Sequence, residues 1–300
     1  MQALSPEAFD AALADALARG ALAAVVDAAR IDHLQDRLGL EGIDHDPLYL
    51  DEVDAPTIAA GPHLVRPRDA TDAARLREWA DGAPAIVWWR WSGPAEGLRR
   101  HLRGLNMVEI PRARYDARND AAEPGWKAVL FRHADPNVLM DVMQVLDPAQ
   151  TARLLGEAEA LLLDAPNYPA PVAVAAGDGP PTPRPGLLRI GHDQYEALGD
   201  VRRAVIRPRV EAYLRTATPK RAAAHDGPAF RAAVDAALTE GRRLGLRSSV
   251  AFSRLALMEF STGGRTLDSA RFRAAMESPM QHETPDGVLE RVFGRFRKGA

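Results

Sequence analysis

The chain has 300 residues, 46% hydrophobic and 26% charged, which suggests about two domains with a sizeable core and a soluble surface. It has no cysteine, which excludes disulfides, thiolate metal sites and a cysteine nucleophile and fits a reducing compartment such as the cytoplasm, where the protein is expected. The net charge of −3 is unevenly divided: residues 1–183 carry 17 Lys+Arg against 28 Asp+Glu, net −11, whereas residues 184–300 carry 21 against 13, net +8.

The N-terminus has no basic segment of the kind that opens a signal peptide, and no apolar run is long enough to span a bilayer. The first predicted element is a helix over residues 6–19. Ser5 is its N-cap, Pro6 sits at its first position, Phe9, Leu13 and Leu17 recur at helical spacing, and Gly20 stops it. The apolar run 21–29 reads as either a buried strand or a helix segment, because periodicity does not separate the two. Residues 44–54 are acidic and read as a loop. A short strand follows at 63–66, then a helix over 69–80 capped by Asp69 or Thr71.

Residues 85–91 are β-branched and aromatic and give the clearest strand signal. Alternation places Trp89 and Trp91 on one face and Trp88 and Arg90 on the other, so at least one face is core. A helix is predicted over 95–105, and strands at 106–110 and 126–132 joined by a hairpin loop. Asp135-Pro136 starts a helix through Leu146, and Asp147-Pro148 another through about residue 162. Residues 166–185 hold seven prolines and read as a linker, with Val172, Ala173 and Val174 open to forming a short strand. Beyond it, helices are predicted near 193–206, 228–244, 249–260, 269–276 and 285–296, with Pro208 breaking or kinking the first. The fold class is therefore an α/β lobe with a mixed sheet (1–165), a Pro/Gly-rich linker (166–187) and an all-helical lobe (188–300).

Reactive constellations are hard to find. The eight histidines show no i, i+4 pair of the kind that holds a metal on a helix, and Asp44-His45-Asp46 reads as a solvated acidic loop. There is no phosphate-binding loop and no G-x-S-x-G turn, and Ser248 and Ser249 have no identifiable base. The tryptophan run raises nucleic-acid stacking, but aromatic strand residues are more often core. Arg99, Arg100 and Arg103 read as a solvated helix face.

Between residues 61 and 162 several segments follow in a fixed order: Gly61-Pro62-His63-Leu64-Val65, Ala85-Ile86-Val87-Trp88-Trp89, and the helix Leu98-Arg99-Arg100-His101-Leu102-Arg103. Phe131-Arg132-His133-Ala134-Asp135-Pro136-Asn137-Val138-Leu139 and then Leu146-Asp147-Pro148-Ala149-Gln150 complete the series. Together they resemble the type VI secretion effector chaperone, or adaptor, family, whose shared domain is one of unknown function. His133-Ala134 departs from the pattern, where the family often has an aromatic. In physical terms Asp135 is an N-cap, and Arg132 is expected to pair with Asp135 or Asp141.

The resemblance implies a protein that holds a secreted effector, through the effector's N-terminal region, and helps load it onto the spike-tip protein. No enzymatic activity, cofactor, metal or membrane partner is expected. Cargo contacts are expected in the basic lobe at Arg242, Arg243, Leu246, Arg247, Phe252 and Arg254, on charge and layout alone. The alternative is a nucleic-acid-binding protein using the same lobe, and a third reading is a hydrolase using Ser, His and Asp.

Overall fold

The computed structural model describes residues 1–49, 54–112, 125–176, 186–223, 227–246, 248–278, 280 and 283–299. The chain divides into two compact units, Met1–Gly199 and Asp200–Ala300.

The first unit is built on a seven-stranded sheet. Its strands are β1 (Gln2–Ala3), β2 (Leu22–Asp27), β3 (Asp44–Pro47), β4 (Pro62–Arg66), β5 (Ile86–Arg90), β8 (Ala160–Leu163) and β9 (Val172–Ala175), in the order β1-β9-β8-β5-β2-β4-β3. Every pairing in this sheet is antiparallel. A second, mixed sheet has the order β10-β6-β7, with β6 (Met107–Pro111), β7 (Trp126–Leu130) and β10 (Leu188–Arg189), where β10 runs parallel to β6.

The large sheet is covered on both faces, which is why its central strands are apolar throughout rather than alternating. Ala24, Val26, Ile86, Trp88 and Leu162 face one core, with Phe9 and Leu13 of α1 (Pro6–Ala18), Leu34 and Leu38 of α2 (Leu34–Leu40), and Leu76 of α4 (Ala70–Ala80). Val25, Val87, Trp89 and Leu161 face the other. There they meet Leu98 and Leu102 of α5 (Ala95–Gly104), Leu139 of α6 (Pro136–Met143), and Leu154 and Leu155 of α7 (Pro148–Leu155), with Val108 and Leu188 of the small sheet. A short helix α3 (Ala55–Ala60), capped by Asp54, leads into β4.

Several sequence expectations change. The ambiguous run 21–29 is strand β2 in its greater part. Residues 44–47 are not loop but edge strand β3, because Arg66 on the neighbouring strand takes both Asp44 and Asp46 and neutralises charges that disfavour a sheet. The helix from Pro148 ends at Leu155. Gly156 stops it with φ +59°, and its bare Cα lets the His101 ring approach to where a Cβ would lie 2.6 Å from Cε1. The apolar residues that follow are strand β8, inserted between β5 and β9. The expected hairpin of β6 and β7 forms, and residues 113–124 between them lie outside the described residues. Within the expected linker, Val172–Ala175 is strand β9 and residues 177–185 lie outside the described residues.

The second unit is helical. The long helix α8 (His192–Ala217) crosses the boundary at Gly199 and enters it. It is followed by α9 (Pro219–Ala223), α10 (Gly227–Arg243), α11 (Ser249–Thr262), α12 (Ala270–Met276) and α13 (Pro285–Gly299). Pro208 does not end α8 as its chemistry suggests, for one lost backbone donor is outweighed by the burial of Val210 and Leu214 just beyond it. These two pack with Phe230, Val234, Leu238, Phe252, Leu255, Phe272, Leu289 and Phe293.

Candidate functional site

A dense polar arrangement lies at the C-terminal end of β2. Asp27 is 6% exposed and Asp135 4%, and both are held by arginines that reach outward. Arg132 Nη2 lies 2.5 Å from Asp27 Oδ2, and Arg30 bridges the two carboxylates at 3.4 Å from Asp27 and 3.0 Å from Asp135. The other oxygens are also satisfied. Asp27 Oδ1 accepts from the Ala29 N–H, and Asp135 Oδ1 caps α6 by accepting from Asn137 and Val138. Two buried carboxylates survive desolvation only with such partners. Tyr49 lies near enough to feel the cluster's charge: burial, then the Asp27 carboxylate, push the pKa of its hydroxyl up. Tyr49 packs where Gly61 has no side chain, since a Cβ there would sit 2.5 Å from the ring. Arg132 thus pairs with Asp27 rather than with Asp135 or Asp141, and Asp141 accepts at 2.6 Å from the Tyr168 hydroxyl.

The remaining motif residues also knit the unit together. His101 bonds the Leu154 carbonyl at 2.9 Å through Nε2 and stacks on Trp91. Arg103 donates to the Pro47 carbonyl, and Arg99 is paired with Glu96. Asp147 and Gln150 form a reciprocal cap of α7, and Gln150 also donates to the Arg189 carbonyl. Trp88, Trp89 and Trp91 are all buried, so they offer no stacking platform.

His133 stands where the family pattern often has an aromatic, and it is 1% exposed. Asn106 donates its amide to the Leu48 carbonyl, so Asn106 Oδ1 accepts from His133 Nε2, which carries the ring proton. Nδ1 is left without a partner, as is the buried Trp89 Nε1. Burial, reinforced by His101, lowers the His133 pKa to about 3. Among the described residues no group of three or more His, Asp or Glu is placed to hold a metal. His45 bonds the Ile43 carbonyl, and Ser248 caps α11.

The set expected to touch cargo falls in the second unit. Arg243 pairs with Glu240 at 2.6 Å, Arg242 lies 3.8 Å from Asp200, and Arg254 reaches Glu290 at 3.3 Å while lying over the Phe293 ring. Leu246 and Phe252 are buried in the helical core, and Arg247 lies outside the described residues.

Residues 23–153 match the model of a family described as a domain of unknown function (DUF4123). The match covers less than half of the chain, all of it within the first unit. The family is the one known as the type VI secretion effector chaperones or adaptors, as the sequence resemblance implies. The DUF4123 match runs from β2 to α7 and takes in the whole Asp27–Arg30–Arg132–Asp135 cluster, while the second unit lies outside it. No curated protein and no solved structure matches the chain. Among the described residues no helix is long and apolar enough to cross a membrane.

What sequence reasoning missed in this site is the pairing of Arg30 and Arg132 with Asp27. The signal present was a carboxylate ending an otherwise apolar strand, since a charge there needs a partner once the strand is buried.

Proposed function

We propose that this chain is a cytoplasmic type VI secretion adaptor that binds one effector, through that effector's N-terminal region, and helps load it onto the spike-tip protein without chemical turnover. The observation that carries this reading is the DUF4123 match over residues 23–153. The roles of its motif residues support it. Phe131, Leu139, His101, Asp135 and Gln150 are spent on packing, capping and ion pairing, which builds a rigid scaffold for recognition. The nucleic-acid alternative loses its aromatic platform, because the tryptophans of the 88–91 run are core residues.

The test is co-expression of the tagged full chain with candidate effectors and a spike-tip protein from the same genome. Co-elution of one effector at moderate salt is expected. Capture of neither an effector nor the spike-tip protein overturns the reading.

A further inference from the structure

Strands at the edge of a sheet present unpaired backbone groups, and proteins normally guard them. Among the described residues, three of the four sheet edges are guarded or very short. β1 and β10 have two residues each. β3 carries Asp44 and Asp46, both engaged by Arg66, and ends on Pro47. The fourth edge is β7, Trp126–Leu130, which has five residues and a single charge, Lys127.

The register shows which of its groups are open. Phe131 N–H donates to the Asn106 carbonyl and Arg112 N–H to the Gly125 carbonyl, at 2.8 and 2.9 Å. In an antiparallel ladder the bonded residues alternate, so Lys127 and Val129 also turn their backbone groups toward β6. Trp126, Ala128 and Leu130 therefore direct their N–H and C=O groups away from the sheet. Their side chains lie on the face opposite Val129, which packs on the core. On that outer face Leu130 is 54% exposed, Ala128 is exposed, and Met107 stands across from Leu130. Trp126 is fixed at one end, with the Arg189 guanidinium 4.5 Å above its ring.

We propose that the β7 edge is a docking site for an extended segment of a partner protein, which adds a strand to the small sheet. Main-chain bonds to Trp126, Ala128 and Leu130 supply the attachment. Specificity comes from alternate apolar residues lying over Leu130 and Met107, and from an acidic residue placed against Lys127, the one charge on the strand. The proposal goes beyond the adaptor reading by naming the surface and the backbone conformation of what it holds.

The probe is a fluorescein-labelled octapeptide alternating valine and threonine with one glutamate, titrated into the full-length chain and read by anisotropy. Saturable binding is expected. Ala128→Pro removes an outward donor without touching the ladder to β6, so the fold is retained, and binding weakens by about tenfold. Leu130→Ser changes an exposed side chain and also weakens binding. Methylating the peptide amides along one edge abolishes binding, while methylating those of the other edge does not. Changing the glutamate to lysine weakens it.

No binding to the wild-type chain, or equal binding to Ala128→Pro, overturns the proposal. So does a light-scattering mass that doubles with concentration and reverts in Ala128→Pro, since that assigns the edge to a second copy of this chain. The two readings fail separately. If the wild-type chain captures no effector, the adaptor role falls and the peptide result stands. If the wild type and Ala128→Pro capture it equally, only the edge proposal falls.

Discussion

In Met1–Gly199 the decisive charges are inside: Asp27 and Asp135 are buried and each is tied to an arginine and to backbone amides. In Asp200–Ala300 the pairs Arg243–Glu240 and Arg203–Asp200 join residues three apart on one helix, and Arg243 and Asp200 are largely exposed. The contrast indicates where charged motif residues should matter. A buried ion pair cannot lose one partner cheaply, whereas an exposed one is screened and contributes little. The family-matched segment contains both buried carboxylates, Asp27 and Asp135, whereas Arg243 of the helical unit is an exposed member of its pair.

Four measurements test this contrast. The largest effect is expected for Trp89→Ala, which empties a fully buried site between sheet and helices and costs about 3–5 kcal/mol in denaturant unfolding. Asp135→Ala removes the cap of α6 and leaves Arg30 without its 3.0 Å partner, for a loss of about 2–3 kcal/mol.

His133 should make the first unit acid-sensitive. Its folded pKa is about 3 against an ordinary value of 6.5, so the unfolded chain takes up the proton first. The stability it contributes is complete above pH 6.5 and is lost as pH falls toward 3, by about 1.4 kcal/mol for each pH unit. A His133→Gln variant should show a shallower fall in unfolding midpoint between pH 6.5 and 5 than the wild type, and parallel curves would refute this account.

The smallest effect belongs to Arg243→Ala, which should change stability by less than about 0.5 kcal/mol. A loss as large as that of Asp135→Ala would erase the contrast between the units. Unchanged stability with weaker effector capture would instead assign the helical unit a share of the binding.

Much of the architecture was legible. Ser5, Asp69, Asp135 and Asp147 announce helix starts because a short polar side chain satisfies a local N–H, and each caps the helix expected of it. The order of residues from Gly61 to Gln150 was enough to place the family. Less was legible where a partner distant in sequence decides the outcome. Asp44 and Asp46 look like loop residues until Arg66 lies beside them, and Arg132 finds its partner 105 residues away in Asp27.

Most helix starts, the apolar central strands and the adaptor-family match could be read from the amino-acid order, because capping, periodicity and motif spacing are local. Residues 160–163 becoming a strand, Leu246 and Phe252 becoming core, and β7 keeping an open edge are outcomes of the three-dimensional packing. They depend on which elements come to lie side by side, and a sheet joins residues that the chain keeps far apart.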